Sequence, residues 1–407
     1  MIRVAVIYPS DPFGSKVGGP ETFIRDFIRY APQDFEIRYV GLSGEEKRHK
    51  IREWAELMIE GRRFHFFPLF VEKDENKKSV VPLVLRFTFW LFFHKPPISS
   101  SVFLFDRIEP AWVFKNEKDP KIGVVHNDII RLLEKGKSEV WWSRFPRLYF
   151  WFEKRIFSLL SVVYTVSEKT LQYYRDNYKE QIQKFVFLPT WVDQSVFYPF
   201  GEGKKTIRKK ILEASRDSLP PDGKWILFVG RLQEQKAPKR LIETFFEYQK
   251  KEKNSVFLLI GDGNLKEEIQ KHVAELSLQN KVFLVPNMRQ KELAAYYQAS
   301  DLLLLTSNFE GMPRCVLEAL GSGLPVVTTD VGEVRKVVRN GFSGEISDSL
   351  LPGVIGGLME KVLANPEAYS KENCVQSILD YSPKKVLEPV YQKMRELFHE
   401  HSRRNLR

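Results

Sequence analysis

The chain has little cysteine and no hydrophobic run long enough to cross a bilayer. Its 407 residues include two cysteines, Cys315 and Cys374, which stand outside any cluster of metal-ligating residues. Such sparse cysteine indicates a reducing compartment rather than a disulfide-stabilised secreted protein. The first ten residues have the pattern of a strand and not of a signal peptide. We therefore expect a cytoplasmic protein.

The most apolar stretch, Val80 to Phe93, is interrupted by Arg86 and is shorter than the roughly 20 residues that span a bilayer. It therefore predicts no transmembrane helix. Two interpretations stay open, a helix buried in the core or a helix that contacts a membrane or a lipid-linked acceptor. The basic residues nearby, Lys95 and the many between 131 and 155, favour contact with an anionic membrane surface, with the protein peripheral on its inner face.

Acidic residues are fewer than basic ones, with 52 Asp and Glu against 63 Lys and Arg and a formal net charge of +11. This excess favours a polyanionic partner, an anionic membrane or a phosphate-bearing substrate, although it also serves simply to solvate a surface. No nucleic-acid recognition motif accompanies the charge, so we expect no nucleic-acid partner. The length is sufficient for two domains of ordinary size.

One stretch, Asp301 to Pro325, predicts a strand, a tight loop and a helix in succession. The strand, Asp301 to Thr306, is an apolar run of the buried parallel type. Glu310 follows it in the loop, and Glu318 lies about two helical turns further on. Two carboxylates can therefore face the carboxyl edge of a sheet, where open α/β folds bind ligands. By spacing alone, a solvated helix face is the better explanation of the pair, because charged helix faces give this spacing by chance.

The residues around this pair carry a family resemblance. The sequence EGMPRCVLEALGSGLPVV, from Glu310 to Val327, resembles the E-x7-E signature of the retaining nucleotide-sugar glycosyltransferases of family four. The resemblance implies the α/β GT-B fold, two facing Rossmann-like domains with a cleft between them. It also implies that Glu310 binds sugar hydroxyls and that Glu318 binds ribose hydroxyls. The loop residues implied to hold the donor are Gly311, Met312, Pro313 and Arg314.

A second motif, Gly230 to Lys236, follows the predicted strand Trp225 to Val229. Two cations in such a loop can neutralise a nucleotide diphosphate, Arg231 as a bidentate donor and Lys236 as a point charge. Surface cations are the alternative, but the family has its diphosphate-binding arginine and lysine in this pattern. The further donor-binding residues that the resemblance implies are Gly18, Gly19, Gly230, Gly261, Asn287 and Met288.

The first half of the chain carries the predicted acceptor side. His126 follows the apolar run Ile122 to Val125, so it lies at the carboxyl end of a predicted parallel strand, on the ligand side of the sheet. By resemblance, His126 lies near the transferred sugar, and the alternative is a hydrogen-bonded structural histidine. Arg107 and Asp128 are further candidates for acceptor contact.

Proline, glycine and charged residues concentrate between 201 and 223, which predicts a domain boundary there. We expect an acceptor-binding domain over residues 1–200, a linker over 201–223 and a nucleotide-sugar-binding domain over 224–382. The resemblance implies that a last helix, 383–407, returns to the first domain. Within the first domain, Lys47 to Ile59 is predicted to be a helix.

The implied reaction is retaining transfer of a hexose-type sugar from a UDP- or GDP-sugar to a hydroxyl of a glycan or lipid-linked acceptor. No Asp-x-Asp metal motif stands at a strand end, so we expect no metal or other cofactor, and cations and helix dipoles would stabilise the leaving group. A nucleotide-sugar epimerase of the same fold is the alternative. A dehydrogenase is disfavoured because Lys266 replaces the third glycine of a G-x-G-x-x-G loop. The predicted catalytic residues are His126, Arg231, Lys236 and Glu310.

Overall fold

The computed structural model describes residues 1–14, 19–45, 49–73, 81–98, 101–126, 146–201, 203–214 and 219–405. The chain forms two compact units. The first contains Met1–Pro189 and Pro383–Arg407, and the second is Thr190–Ser382. None of the described helices has the length and apolar character that a membrane span requires. Two of the predicted site residues, Gly18 and Asp128, lie outside the described residues.

The first unit is built on an eight-stranded sheet with the strand order β3-β4-β2-β1-β5-β6-β7-β8. All neighbouring strands are parallel except β3 and β4. Because β2 and β5 flank β1 on opposite sides, the strand order reverses at β1, as in a doubly wound sheet. The strands are β1 (Ile2–Ile7), β2 (Phe35–Ser43), β3 (Ala55–Ile59), β4 (Arg62–Val71), β5 (Val102–Phe105), β6 (Lys121–Val125), β7 (Val162–Thr165) and β8 (Phe185–Phe187).

The helices of this unit in chain order are α1 (Gly19–Arg29), α2 (Leu83–Phe93), α3 (Pro146–Leu159) and α4 (Glu168–Asn177). A 3₁₀ helix, Glu109–Phe114, connects β5 to β6. It shares one apolar core cluster with α2, α3 and α4, to which Phe87, Phe114 and Phe157 contribute. These elements therefore cover the same region of the sheet.

The helix predicted for Lys47 to Ile59 is wrong, because Ala55–Ile59 forms β3 and pairs antiparallel with β4. The reason is the turn between them. Glu60 and Gly61 both have left-handed backbones, with φ of 44° and 87°, and they connect the paired residues Ile59 and Arg62. A two-residue turn of this conformation matches the twist of a β-hairpin and selects it.

The second unit is a six-stranded parallel sheet with the strand order β11-β10-β9-β12-β13-β14. Its strands are β9 (Lys224–Val229), β10 (Ser255–Ile260), β11 (Val282–Val285), β12 (Leu302–Leu305), β13 (Val326–Thr329) and β14 (Gly344–Ser347). Its helices are α5 (Lys204–Ala214), α6 (Pro238–Gln249), α7 (Lys266–Glu275), α8 (Gln290–Ala299), α9 (Arg314–Gly321), α10 (Pro352–Ala364) and α11 (Lys371–Gln376). Each unit is thus a Rossmann-like α/β domain, with strands whose carboxyl ends share one edge.

The predicted linker, 201–223, instead belongs to the second unit, which begins at Thr190. Its helix α5 buries Ile207 and Ile211 in the core of that unit. Arg208 is 2.6 Å from Asp301 and lies 4.7 Å from the centre of the Trp225 ring. The proline and glycine residues of this segment therefore bound an amphipathic helix, whose apolar positions four apart attach it to the core.

The last helix, α12 (Pro383–Asn405), belongs to the first unit. The Tyr391 hydroxyl donates a hydrogen bond of 2.8 Å to the carbonyl oxygen of Phe27. The Arg395 guanidinium binds both carboxylate oxygens of Asp34, each at 3.0 Å. The chain therefore leaves the first unit after Pro189 and re-enters it at Pro383.

Candidate functional site

An ion pair between Lys236 and Glu310 lies at the carboxyl edge of the second sheet. The Lys236 Nζ atom is 2.6 Å from Glu310 Oε1, and the two side chains are 15% and 7% exposed. The Ser307 hydroxyl donates to the same oxygen at 2.7 Å, and the Gln235 amide donates to Oε2 at 3.4 Å. Burial opposes the charge of Lys236, but the Glu310 carboxylate outweighs burial and raises the pKa of the lysine. The ammonium therefore stays charged at neutral pH.

The two residues meet because β9 and β12 are neighbouring strands, so the loops after them leave the sheet side by side. The Asn308 N–H donates to the Gln235 carbonyl at 2.8 Å, and the Asn308 side chain donates to the Glu234 carbonyl at 2.9 Å. Arg240 donates to the Thr306 carbonyl at 2.9 Å and to the Asn308 side chain at 3.0 Å. These bonds hold the two loops in a single arrangement.

Ala237 has an unusual backbone for a residue with a side chain. Its φ of 46° and ψ of 57° are left-handed, and it separates the 3₁₀ turn Glu234–Lys236 from α6. Its N–H closes the 3₁₀ turn by donating to the Glu234 carbonyl at 3.1 Å. A non-glycine residue in this region costs roughly 1–2 kcal/mol, so the loop that carries Lys236 contains backbone strain.

Glu318 lies on α9 and is 7% exposed, so the alternative of a solvated helix face is wrong. The Tyr297 hydroxyl donates to its Oε2 at 2.9 Å, and Arg314 Nε lies 3.8 Å from its Oε1. Burial raises the pKa of Glu318, while Arg314 and Tyr297 partly oppose this rise. Burial also raises the pKa of the neighbouring Cys315 to about 12, which keeps it a thiol. Glu318 is therefore a carboxyl group oriented by two partners.

Two glycines keep the loops of this edge in close contact. A Cβ on Gly261, directly after β10, would lie 1.9 Å from the Gly230 carbonyl oxygen. A Cβ on Gly332, where φ is +54°, would lie 1.8 Å from the Gly311 carbonyl oxygen. That same oxygen accepts a hydrogen bond of 2.9 Å from the Glu333 N–H. The loops after β9, β10, β12 and β13 therefore brace one another through their backbones.

The remaining predicted donor-binding residues of the second unit lie in the loops before α6 and α8 and at the start of α9. Arg231 is exposed, has no hydrogen-bond or ion-pair partner among the described side chains, and opposes the protonation of Lys236 by its charge. The exposed Asn287 and the half-buried Met288 precede α8. Within the described chain, no acceptor bonds the N–H groups of Gly311, Met312 and Arg314, which stand at the start of α9. Pro313 is buried there.

In the first unit, His126 forms a short contact with a buried aspartate, Asp106. His126 Nε2 lies 2.5 Å from Asp106 Oδ1, and the two side chains are 15% and 0% exposed. Phe23 meets the imidazole edge-on, with ring centres 5.5 Å apart. With Nε2 bound to the aspartate, Nδ1 of the neutral imidazole is the atom left for a ligand. His126 is hydrogen-bonded as in the structural alternative, and its open nitrogen also suits the sugar contact that the resemblance implies.

Asp106 is in an unfavourable position for a charged carboxylate. Burial raises its pKa to about 6, although His126 lowers it in part. Among the described residues, its Oδ2 atom has no hydrogen-bond partner. Asp106 was not among the site residues predicted from the sequence, although this residue follows the apolar strand β5 just as His126 follows β6. Since β5 and β6 are parallel neighbours, the same rule that selected His126 could have found it.

Other polar residues gather at this edge of the first sheet. The Tyr8 hydroxyl, after β1, donates to Glu21 Oε1 at 2.8 Å. Burial opposes the charge of Arg107, but Glu109 and Tyr8 outweigh it and raise the pKa of this arginine. Gly19, the first residue of α1, has open space where a Cβ would stand. No cluster of three or more metal-ligating His, Cys, Asp or Glu residues occurs within the described ranges.

Two family models match the chain. The model described as Glycosyltransferase Family 4 matches residues 17–196. The model described as Glycosyl transferases group 1 matches residues 211–376. Each match falls almost wholly within one of the two units, and the second includes both the Lys236–Glu310 pair and Glu318.

Curated relatives match over shorter segments. An uncharacterized glycosyltransferase of Methanocaldococcus jannaschii is 35% identical over 119 residues, which is 29% of each chain. A UDP-Gal:alpha-D-GlcNAc-diphosphoundecaprenol alpha-1,3-galactosyltransferase of Escherichia coli is 29% identical over 188 residues, or 44% of this chain and 46% of that one. The matches thus span less than half the length of these curated relatives.

A solved structure resembles the whole chain. The sucrose-phosphate synthase of Thermosynechococcus elongatus superposes with a TM-score of 0.78 at 17% identity, over 98% of this chain and 100% of that one. At this identity the likeness concerns the fold alone. It confirms the predicted fold class of two Rossmann-like domains.

Proposed function

Because the chain belongs to the glycosyltransferases of family four, we propose that it moves a hexose-type sugar from a nucleotide diphosphate donor to a hydroxyl of a glycan or lipid-linked acceptor. The observation that carries this proposal is the buried Lys236–Glu310 pair at the carboxyl edge of the second sheet, 2.6 Å apart. The relative from Escherichia coli acts, by its name, with UDP-Gal and a diphosphoundecaprenol-linked sugar. This supports a UDP-sugar donor and a lipid-linked acceptor here.

The leaving group accounts for the two cations. As the bond between the anomeric carbon and the phosphate oxygen breaks, negative charge grows on the diphosphate. Lys236 is kept protonated by Glu310, and Arg231 is free to form a bidentate contact. An ammonium about 4 Å from the new charge contributes about 4 kcal/mol at an effective dielectric constant of 20. These cations and the start of α9 would stabilise the leaving group without a metal ion or another cofactor.

The two glutamates hold different parts of the donor in this proposal. Glu310 accepts hydrogen bonds from sugar hydroxyls, and Glu318 accepts them from the ribose. Tyr297 and Arg314 support the second role, because they fix the position of the Glu318 carboxyl group. The unbonded N–H groups of Gly311 and Met312 suit sugar and phosphate oxygens, as expected near the start of a helix.

The transfer proceeds with retention in this proposal. The acceptor oxygen bonds to the anomeric carbon on the face that the diphosphate leaves, and the departing phosphate oxygen takes the acceptor proton. His126 contacts the transferred sugar through Nδ1, and Arg107 lies on the acceptor side. The comparisons give no support to an epimerase. We place the reaction in the cytoplasm, which suits the two buried thiols, Cys315 and Cys374.

A thermal-shift screen tests the donor site. The protein is heated with UDP, GDP, ADP or dTDP and with the corresponding sugars, with and without a chelator. We expect UDP and its sugars to stabilise the protein, by about 2.7 kcal/mol at 100 times the Kd, and the shift to survive the chelator. No shift with any nucleotide would contradict the proposal, and a shift that the chelator abolishes would contradict metal independence.

A further inference from the structure

We propose that the first unit docks onto an anionic lipid bilayer through exposed apolar side chains of α2 and α3 and the half-buried Trp112 of the 3₁₀ helix Glu109–Phe114. This surface is called the aromatic surface below. The proposal does not depend on the transfer reaction, since it concerns residues outside the donor and acceptor sites. The aromatic surface consists of Phe89, Trp90, Phe92, Phe93, Trp112, Leu148 and Trp151.

Helix α2 exposes more apolar side chains than it buries. Only Phe87 and Leu91 are buried, whereas Phe89, Phe92 and Phe93 are 63%, 68% and 61% exposed. The sequence left open a helix buried in the core, and the structure shows that only one narrow stripe of α2 is buried. A soluble surface rarely carries a contiguous group of large aromatic side chains unless something covers it.

The exposed residues of α2 and α3 are connected through the 3₁₀ helix. Trp112 of that helix contacts Phe152 of α3, with ring centres 5.7 Å apart. The 3₁₀ helix also contacts α2 directly. On α3, Leu148 and Trp151 are each 56% exposed and lie three positions apart, on one face of the helix. The three elements therefore present their apolar side chains from one region of the first unit.

Each tryptophan of the aromatic surface has a basic side chain on its ring. Arg52 lies 4.9 Å from the centre of the Trp90 ring, Lys115 lies 4.8 Å from that of Trp112, and Arg155 lies 5.3 Å from that of Trp151. All three cations are exposed. A tryptophan with a cation on its face suits a membrane interface, where the ring enters the acyl boundary and the cation meets a phosphate.

The charge of this region favours an anionic lipid surface over a neutral or basic protein partner. Residues 81–98, which contain all of α2, have no Asp or Glu, so no carboxylate on this helix repels an anionic headgroup. Helix α2 has 11 residues, fewer than the roughly 20 that a membrane span requires, so it would contact the membrane interface without crossing it. The aromatic surface and its three cations thus fit the boundary between acyl chains and anionic headgroups.

Vesicle sedimentation of the full chain tests this proposal. We expect the protein to sediment with vesicles of phosphatidylcholine and phosphatidylglycerol, and only weakly with phosphatidylcholine alone. The double substitution Phe92→Ser and Phe93→Ser should lower the apparent affinity about tenfold or more. The matched control is Leu350→Ser and Leu351→Ser on the second unit, a pair that is 53% and 66% exposed. It should leave sedimentation unchanged.

A second arm tests the cations. Lys115→Gln with Arg155→Gln should weaken binding to the anionic vesicles and leave binding to neutral vesicles unaltered. Salt should act in the same direction, since the screening length falls from about 10 Å at 0.1 M to about 3 Å at 1 M. Thermal melting of each variant excludes loss of folding as the cause.

Three outcomes overturn the proposal. One is absence of wild-type binding to anionic vesicles, and another is equal binding of the Phe92→Ser/Phe93→Ser variant. The third is a lipid-free oligomer that this variant dissociates, which would identify a second copy of the chain as the occupant. None of these measurements requires donor or turnover, so failure here and failure of the proposed transfer reaction are distinguishable.

Discussion

The two units each place a carboxylate next to a base at the carboxyl edge of a sheet, but the bases differ in strength. In the second unit, Glu310 is 2.6 Å from Lys236, and this lysine stays protonated across the physiological range. In the first unit, Asp106 is 2.5 Å from His126, whose side chain is an imidazole instead of an ammonium group. Burial raises the pKa of Asp106 to about 6.

This difference separates a permanent charge from a variable one. Lys236 stays protonated at neutral pH because Glu310 outweighs the effect of burial on its pKa, which suits stabilisation of a leaving group. The buried Asp106 carboxyl group, with a pKa of about 6, changes its charge close to neutral pH, and its contact with His126 suits orientation of a hydroxyl-bearing substrate. Substitutions at Lys236 and Asp106 test this contrast directly, and smaller effects are expected from substitutions at Glu318 and Ala237.

Replacing Lys236 should have the largest effect. We expect Lys236→Met to lower the rate of transfer about a thousandfold, because a loss of about 4 kcal/mol of leaving-group stabilisation corresponds to about three decades in rate. Steady-state kinetics with the donor found in the thermal-shift screen measures this. The control is Lys239→Met on α6, whose side chain is 56% exposed and pairs with Glu268; it should retain full activity.

The same substitution leaves Glu310 buried without its cation, which costs about 3–5 kcal/mol of stability. The double variant Lys236→Met/Glu310→Gln should recover much of that stability without recovering activity. If activity returned with stability, Lys236 would have only a structural role.

Asp106 should contribute a pH dependence of stability that Lys236 does not. Its folded pKa of about 6 is above the unfolded value of about 3.9, so the folded state holds more protons in between. Below pH 4 this group leaves the free energy of unfolding unchanged, because it is protonated in both states. As pH rises through 6, its ionisation lowers the free energy of unfolding by about 3 kcal/mol. Asp106→Asn should remove the contribution of this group to the slope of stability against pH, and the slope should become smaller. Denaturant unfolding between pH 4 and 8 measures it, and an unchanged slope would contradict the pKa shift.

Asp106→Asn should also change catalysis, because Asp106 positions His126. We expect a roughly tenfold lower kcat/KM and a shifted acidic limb of its pH profile. A role for Asp106 in the fold alone would lower the melting temperature and leave the shape of the pH profile as it was. His126→Gln should resemble Asp106→Asn in kinetics, since both leave the sugar without an oriented imidazole.

Glu318→Gln should raise the KM for the donor about tenfold with little change in kcat, because the ribose is bound equally in the ground state and the transition state. The conservative change keeps the shape of a group whose pKa is already raised by burial, so the fold should persist. Tyr297→Phe, which removes the 2.9 Å hydrogen bond to Glu318, should raise the same KM by a smaller factor. A fall in kcat at constant KM would contradict the ribose role.

The smallest effect is expected at Ala237, where φ is 46°. Ala237→Gly should stabilise the protein by about 0.5–1 kcal/mol, because glycine adopts the left-handed region without strain. The control, Ala274→Gly on the exposed side of α7, should destabilise it by about 1 kcal/mol. Equal destabilisation by both substitutions would show that the left-handed backbone of Ala237 stores no strain.

The sequence predicted the second unit better than the first because its chemistry lies in short loops directly after apolar strands. Lys236, Glu310 and Glu318 stand in such a pattern, and the structure brings the first two into contact. The order of strands explains this contact, because β9 and β12 are far apart in the chain and adjacent in the sheet. The catalytic and binding roles of these residues stay predictions.

The first unit was harder to predict, since its elements depend on turns and on burial. Ala55–Ile59 became a strand through the turn at Glu60 and Gly61. Asp106 was not predicted as a site residue, because a single aspartate after a strand has no motif around it.

By itself, the sequence determined where apolar strands and loops alternate and which loop carries the motif from Glu310 to Glu318, because apolar periodicity and loop composition are local properties. The fold of two Rossmann-like domains was implied by the resemblance of that motif to family four. Only the tertiary structure decided which charges became partners. Glu310 meets Lys236, Glu318 meets Tyr297, and Asp106 meets His126 across 74, 21 and 20 residues of chain. Contacts of this kind depend on strand order and burial, which no local pattern specifies.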